Sequence, residues 1–117
     1  MKSILVVEDE DNIRSFLKEL LRLDYEVIEA SSYEEAVEVL RSLDHLDLLI
    51  TDIDLNGEKT GVDLIQSLGK LPYKVKVLAM SGLYIDQVVK GIPFLRKPYD
   101  AEEFTKTVKS ILGDTNG

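Results

Sequence analysis

Apolar runs of strand length alternate with amphipathic stretches along the whole chain. The first run, residues 4–7, is continuously apolar, which is typical of a strand that is buried on both faces of a parallel sheet. Apolar residues then recur with helical spacing at Ile13, Phe16, Leu17, Leu20 and Leu21. This spacing predicts a first helix over about residues 11–23, with one face against the sheet.

The same alternation continues to the end of the chain. Further strands are predicted at residues 25–30, 48–51, 75–80 and 94–96. Ser32 and Glu35 have the spacing of a capping box and open a second helix, and a third helix is predicted over residues 61–68. Residues 83–91 form a short helix at best. Asp100 can cap a last helix. The apolar face of that helix consists of Phe104, Val108, Ile111 and Leu112.

Five strand–helix repeats predict a parallel sheet with right-handed crossovers and helices on both faces. The predicted fold class is therefore α/β, a doubly wound three-layer sandwich. Polar residues follow strands one, three, four and five. They converge only if those strands are neighbours, which gives the strand order 2-1-3-4-5. A chain of 117 residues has room for one domain, so residues 1–117 are assigned to a single domain with a frayed tail at 113–117.

Composition narrows the function classes. The chain has no cysteine, which excludes disulfides, thiolate metal sites and cysteine nucleophiles. A net charge of −8 disfavours direct binding to nucleic acids and to anionic membranes. The longest apolar runs have the length of strands, so no membrane span is predicted. We expect a cytoplasmic protein whose partners are proteins or cations.

The candidate chemistry lies where the strands end, since open parallel sheets bind ligands at the carboxyl ends of their strands. The residues at these ends are Glu8, Asp9, Asp52, Asp54, Ser81 and Lys97. Two carboxylates ~4 Å apart repel by roughly 4 kcal/mol at an effective dielectric near 20. Either one acid holds a proton or a hard cation offsets the repulsion. Mg²⁺ is favoured, because the ligands near it are oxygen atoms and neither histidine nor cysteine is close in the pattern.

These segments resemble a known family. The stretches ILVVEDE, LLITDIDL, AMSG and FLRKPYD are similar, in order and in spacing, to the motifs of receiver domains from two-component systems. The resemblance covers nearly the whole chain. It implies that Asp52 is the phosphoacceptor and that Ser81 and Lys97 bind the phosphoryl oxygens. Glu8, Asp9, Asp52 and the backbone carbonyl of Asp54 are then the ligands of one Mg²⁺, and Lys97–Pro98 is a cis peptide.

The resemblance also implies a function. The phosphoryl donor is a sensor histidine kinase or a histidine phosphotransfer protein, and Ser81 and Phe94 form the switch. Phosphorylation is expected to change the surface of the fourth helix, fifth strand and fifth helix for a downstream target or for onward phosphotransfer. The domain is not a conventional enzyme, although self-phosphotransfer and self-dephosphorylation are expected. It is expected to be a monomer or a weak dimer.

Some features depart from the family pattern. Asn56 stands where receivers commonly have proline, and the following Gly57 readily takes a positive φ. The segment between Ser81 and Phe94 is short, as in receivers attached to hybrid sensor kinases. An acid at position 54 lies where receivers tune their own dephosphorylation. His45, in the loop before the third strand, is interpreted as a surface residue.

Two alternatives remain at this point. The segment ITDIDLNG resembles the motif of haloacid-dehalogenase-type phosphatases, with Asp52 as nucleophile and Asp54 as acid and base. In that family, however, the motif usually opens the chain. The second alternative is a pseudo-receiver, a binding module that is not phosphorylated, and the complete set of acids, hydroxyl and lysine argues against it.

Overall fold

The computed structural model describes residues 1–82 and 91–114. The predicted helix at 83–91 falls almost entirely outside these residues, as does the end of the tail, 115–117. The strands are β1 (Ser3–Val7), β2 (Glu26–Ala30), β3 (Leu48–Asp52), β4 (Lys76–Ser81) and β5 (Phe94–Arg96). The helices are α1 (Asp11–Leu21), α2 (Tyr33–Ser42), α3 (Gly61–Ser67), which continues into a 3₁₀ turn (Leu68–Lys70), and α4 (Ala101–Leu112).

The five strands form one parallel sheet in the order β2-β1-β3-β4-β5. This order confirms the predicted doubly wound α/β fold. The chain leaves β1 towards one edge of the sheet and returns to place β3 on its other side. The carboxyl ends of β1 and β3 therefore lie at the switch in strand order, where a crevice for ligands forms.

The sheet is buried on both faces, which explains the continuous apolar runs. Ile4, Val6 and Ile50 point to one face and pack under α1 and α4. Leu5 and Leu49 alternate with them and pack under α2 and α3. Since each central strand contributes to two cores, its ends are fixed from both sides, and polar residues just beyond those ends are held in place.

Helix α1 is shorter than the periodicity predicted. It ends at Leu21, not at residue 23, and the backbone N–H groups of Asp24 and Tyr25 both donate to the carbonyl of Leu21 in the turn that follows. Leu23 consequently lies in the turn and is 75% exposed. Phe16 shares the helical spacing of the buried residues but is 51% exposed, at the border of the apolar face.

The helix caps agree with the sequence only in part. The hydroxyl of Ser32 accepts from the backbone N–H of Glu35, as predicted, but the Glu35 carboxylate binds the N–H of Ser31 instead of completing the box at Ser32. A complete capping box, which the sequence analysis did not identify, joins Thr60 and Asp63 at the start of α3. The predicted cap of α4 is present, since the Asp100 carboxylate accepts from a backbone N–H of the first turn.

The expected frayed tail is wrong for Gly113 and Asp114. Gly113 ends α4 in the left-handed conformation with φ of 78°. The carboxylate of Asp114 accepts hydrogen bonds from Lys2 at 2.8 Å and from the hydroxyl of Tyr25 at 3.0 Å. These contacts join residues far apart in sequence, so the local pattern does not reveal them. None of the helices in 1–82 and 91–114 has the length and apolar character needed to cross a bilayer.

Candidate functional site

Three carboxylates meet at the switch in strand order. Glu8 and Asp9 directly follow β1, and Asp52 is the last residue of β3. Because Val7 pairs with Thr51 in the sheet, the next residues of both strands emerge side by side. Oxygen atoms of these three carboxylates all lie within 4.8 Å of one another. The structure thus brings the predicted acids together in one cluster.

Glu8 is the most deeply buried of the three acids, with 1% of its surface exposed. Its Oε2 accepts from the backbone N–H of Glu10 at 3.2 Å. Its Oε1 has no hydrogen-bond partner, which is the case for no other buried side-chain oxygen or nitrogen in the described part of the chain. Burial raises the pKa of Glu8 to about 7, helped by the Asp9 carboxyl and by the charge of Asp52. A buried carboxylate oxygen that accepts no hydrogen bond fits a site for a cation.

Lys97 supplies the positive charge at this site. Its Nζ lies 2.5 Å from Oδ2 of Asp52 and 3.6 Å from Oε1 of Glu8. Burial opposes the charged form of Lys97, but the hydrogen bond to Asp52 and the charges of Asp52 and Glu8 outweigh it and raise the pKa of the ammonium. The backbone N–H of Lys97 donates to the carbonyl of Ser81, and the Lys97–Pro98 peptide is cis, which confirms the expectation from the resemblance.

Asp52 is held at both carboxylate oxygens. Oδ2 accepts from Lys97, and Oδ1 accepts from the backbone N–H of Asp54 at 3.0 Å. The side chain is buried, with 3% of the residue exposed. The Asp52 carboxylate therefore has a fixed orientation at the end of β3, as a nucleophile requires.

The backbone around Asp52 is positioned by close packing of α3. The N–H of Gly61 donates to the carbonyl of Ile53 at 2.9 Å. A Cβ at Gly61 would lie only 2.3 Å from the carbonyl oxygen of Asp52 and 2.8 Å from Cα of Ile53. Only glycine fits this approach. Gly61 was not predicted as a site residue, and a glycine directly after the capping residue Thr60 is the signal that was available.

Arg14 is a second residue that the sequence analysis missed. Its Nη1 donates to the backbone carbonyl of Glu8 at 2.8 Å, while its guanidinium also pairs with Asp11 and Glu29. The side chain is largely buried. Arg14 thereby ties the loop that carries Glu8 and Asp9 to α1 and β2. Its position five residues after Asp9, on the first helix, was the available signal.

Ser81 and Phe94 lie on neighbouring strands beside the acids. Ser81 ends β4, is fully buried, and its hydroxyl donates to Oδ2 of Asp54 at 3.2 Å. Phe94 begins β5 and is half-buried in an apolar cluster with Ile53 and Ala79. Both switch candidates are therefore connected to the β3 end, one through a hydrogen bond and the other through packing.

His45 and the Asn56-Gly57 turn lie outside this cluster. His45 is exposed in the loop before β3, as expected, and its ring binds the Asp47 carboxylate at 2.9 Å. Asn56 and Gly57 are exposed in the loop between β3 and α3, and Gly57 has φ of 113°.

The chain is similar to known signalling proteins over nearly its whole length. The family model of the response regulator receiver domain matches residues 4–109. Sensor kinase CckA of Brucella abortus is 31% identical over 94% of this chain, and transcriptional regulatory protein CpxR of Escherichia coli is 32% identical over 96%. The chain spans only 12% of the length of CckA and 50% of the length of CpxR.

Solved structures agree with this similarity. Response regulator protein TrrA of Thermotoga maritima, crystallised in complex with Mg(2+)-BeF, superposes with a TM-score of 0.82 at 31% identity, over 96% of this chain and 100% of TrrA. The family match leaves no support for the haloacid-dehalogenase alternative. Together with the strand order and the acid cluster, it shows that the chain belongs to the response regulator receiver domains, the phosphoacceptor switches of two-component signalling.

Proposed function

We propose that residues 1–117 form a single receiver domain that takes a phosphoryl group onto Asp52, with one Mg²⁺ held by Glu8, Asp9, Asp52 and the backbone carbonyl of Asp54. The observation that carries this proposal is the meeting of three carboxylates, one of which has a buried oxygen that accepts no hydrogen bond, with Lys97 bound to Asp52. The residues fit a hard divalent cation, because every available side-chain ligand is an oxygen. A relative solved with Mg(2+)-BeF supports the choice of metal.

The chemistry follows from the groups in place. A carboxylate oxygen of Asp52 forms a bond to phosphorus while the bond from phosphorus to the donor's histidine nitrogen breaks, and the imidazole leaves with that electron pair. The fixed orientation of Asp52 reduces the entropic cost of this attack. Lys97 neutralises negative charge on the transferred group through its ammonium. When bound, Mg²⁺ would supply further positive charge among the acids and the phosphoryl oxygens.

The switch begins at the new charge. An acyl phosphate at Asp52 adds a group comparable with a phosphoserine, roughly −1.5 to −2 charges. Ser81 and Lys97 bind its oxygens, and Phe94 follows through packing, since phenylalanine has no hydrogen-bonding group. The surface formed by β5, α4 and the predicted helix before β5 has two arrangements in equilibrium. Phosphorylation then shifts this equilibrium towards the arrangement of the phosphorylated form.

The partners follow from the family. Receiver domains interact with histidine kinases or phosphotransfer proteins, and we propose one of these as the donor for this domain. The output is binding of a downstream target protein or onward phosphotransfer. The net charge of −8 makes direct contact with nucleic acids or anionic membranes unfavourable. We propose that the domain acts in the cytoplasm as a monomer or weak dimer, and that its reactions on itself are phosphotransfer and dephosphorylation.

Incubation with acetyl phosphate and Mg²⁺, followed by intact mass spectrometry, tests the proposal. The native protein should gain the mass of one phosphoryl group, and chelation of Mg²⁺ should prevent the gain. Asp52→Asn should not gain it. Asp44→Asn, which changes an exposed acid in the loop after α2, is the matched control and should behave as the native protein does. Equal mass gain on Asp52→Asn would contradict the assignment of the phosphoacceptor.

A further inference from the structure

Asp54 touches both ends of the proposed switch, through two different groups. Its backbone N–H donates to Oδ1 of Asp52, the proposed phosphoacceptor, at 3.0 Å. Its carboxylate accepts from the hydroxyl of Ser81 at 3.2 Å. The phosphotransfer chemistry itself needs neither the Asp54 side chain nor this second contact.

Ser81 has little freedom to leave this contact without a rearrangement. The residue is fully buried at the end of β4, and its carbonyl accepts from the backbone N–H of Lys97 at 2.9 Å. Its hydroxyl has one proton to donate. While that proton is given to the Asp54 carboxylate, it is not available to an oxygen of a phosphoryl group on Asp52. The two hydrogen bonds therefore exclude each other.

We propose that the Asp54 carboxylate is a latch that holds the Ser81 hydroxyl in the unphosphorylated state and so opposes switching. This inference rests on the proposed function, because it requires phosphorylation of Asp52. It assigns Asp54 a positioning role that acts through Ser81. The hydrogen bond to a charged acceptor is stronger than one to a neutral group, so breaking it is a cost that phosphorylation has to overcome. A ligand shifts the switch only by the difference between what it gains and what it disrupts.

The latch makes a prediction that simple charge repulsion does not. Repulsion between the Asp54 carboxylate and a phosphoryl group acts directly and is independent of residue 81. The latch acts only through the Ser81 hydroxyl. Removing the Asp54 carboxylate should therefore favour the phosphorylated form when Ser81 is present, and should have no effect once Ser81 has been replaced by alanine. A double-mutant cycle separates the two explanations.

Beryllium fluoride with Mg²⁺ is a suitable probe, since a relative has been crystallised with it. Beryllium bound to three fluorides and one carboxylate oxygen has the tetrahedral shape of a phosphoryl group. The affinity for this probe is measured by isothermal titration on the native protein, Asp54→Ala, Ser81→Ala and the double variant. We expect Asp54→Ala to bind about ten-fold more tightly, the size of a weak charged hydrogen bond. Asp44→Ala, which removes an exposed acid elsewhere, should bind as the native protein does.

The outcomes are distinguishable. Unchanged affinity in Asp54→Ala, or a gain that persists in the Ser81→Ala background, would overturn the latch while leaving Asp52 as the phosphoacceptor. If the native protein binds no beryllium fluoride and gains no mass with acetyl phosphate, the proposed function itself fails. An equal gain in affinity for beryllium fluoride in Asp44→Ala would also overturn the latch. Urea unfolding of each variant shows whether it is folded.

Discussion

Replacing Gly61 by alanine is expected to damage the site without touching any of its side chains. An added Cβ would lie 2.3 Å from the carbonyl oxygen of Asp52, whereas real Cβ atoms essentially never come within 3.0 Å of a neighbour. Ordinary contact begins at 3.4 Å, so the backbone of α3 and the end of β3 must separate by about 1 Å. Both contacting groups are backbone, and no flexible side chain can absorb the change.

The size of that displacement sets the expected effect. Lys97 and Asp52 are 2.5 Å apart, and a further ångström would bring the pair to the limit of a hydrogen bond. Misplacing reacting groups by about 1 Å costs on the order of 100-fold in rate. Overpacking costs about 1–3 kcal/mol of stability, of which the better helix propensity of alanine returns a part. We therefore expect a folded protein, modestly destabilised, that is phosphorylated roughly 100-fold more slowly.

The assay is the rate of mass gain with acetyl phosphate and Mg²⁺, alongside urea unfolding. Gly69→Ala is the matched control, because Gly69 is exposed in the 3₁₀ turn after α3 and nothing lies within 4 Å of its added Cβ. It should be phosphorylated at the native rate. A Gly61→Ala protein with native rate and native stability would show that α3 does not position Asp52 in this way, and so would an equal loss of rate in Gly69→Ala.

Three further predictions concern charged and polar contacts. Lys97→Met should slow phosphorylation by roughly 100- to 1,000-fold, the effect of removing one preorganised donor, and mass spectrometry measures it; a native rate would contradict its role. Glu8 has a pKa raised from 4.5 to about 7, so its protonated form favours the fold: without Mg²⁺, its contribution to stability is present below about pH 4.5 and is lost as the pH rises through about 7. Urea unfolding at several pH values should show that this loss of stability is absent in Glu8→Gln. If the free energy of unfolding has the same pH dependence in both proteins, Glu8 does not contribute to it. Tyr25→Phe removes the hydroxyl bound to Asp114 and should lower the free energy of unfolding by about 1 kcal/mol; an unchanged denaturation midpoint would show that this tether is not stabilising.

The sequence predicts the position of a strand best where burial on both faces makes the strand continuously apolar. The runs that became β1 and β3 are almost entirely apolar because both faces of each strand lie in a core, so the position of each strand could be inferred from its apolar run. The strand order was inferred by requiring the polar residues after strands one, three, four and five to converge. The structure has this order, and it brings Asp52 and Lys97 together although they are 45 residues apart.

What could not be predicted depends on distances between backbones and on single long-range contacts. Gly61 is required by the approach of α3 to the carbonyl of Asp52, and no periodicity reports this distance. Arg14 lies on α1 at a position that a helical wheel marks only as polar, yet its guanidinium binds the carbonyl of Glu8. Asp114 is anchored by Lys2, at the other end of the chain. Because this contact is not visible in the local sequence, the segment was predicted to be frayed.

The phosphoryl group is proposed to be carried by Asp52, in the cluster of three acids. Borohydride reduces an acyl phosphate on aspartate to homoserine, and peptide mapping by tandem mass spectrometry then locates the reduced residue. After treatment with acetyl phosphate and Mg²⁺, we expect homoserine at position 52 and at no other acid. Homoserine at Asp9, at Asp54 or at an acid away from the strand ends, with aspartate retained at 52, would contradict it.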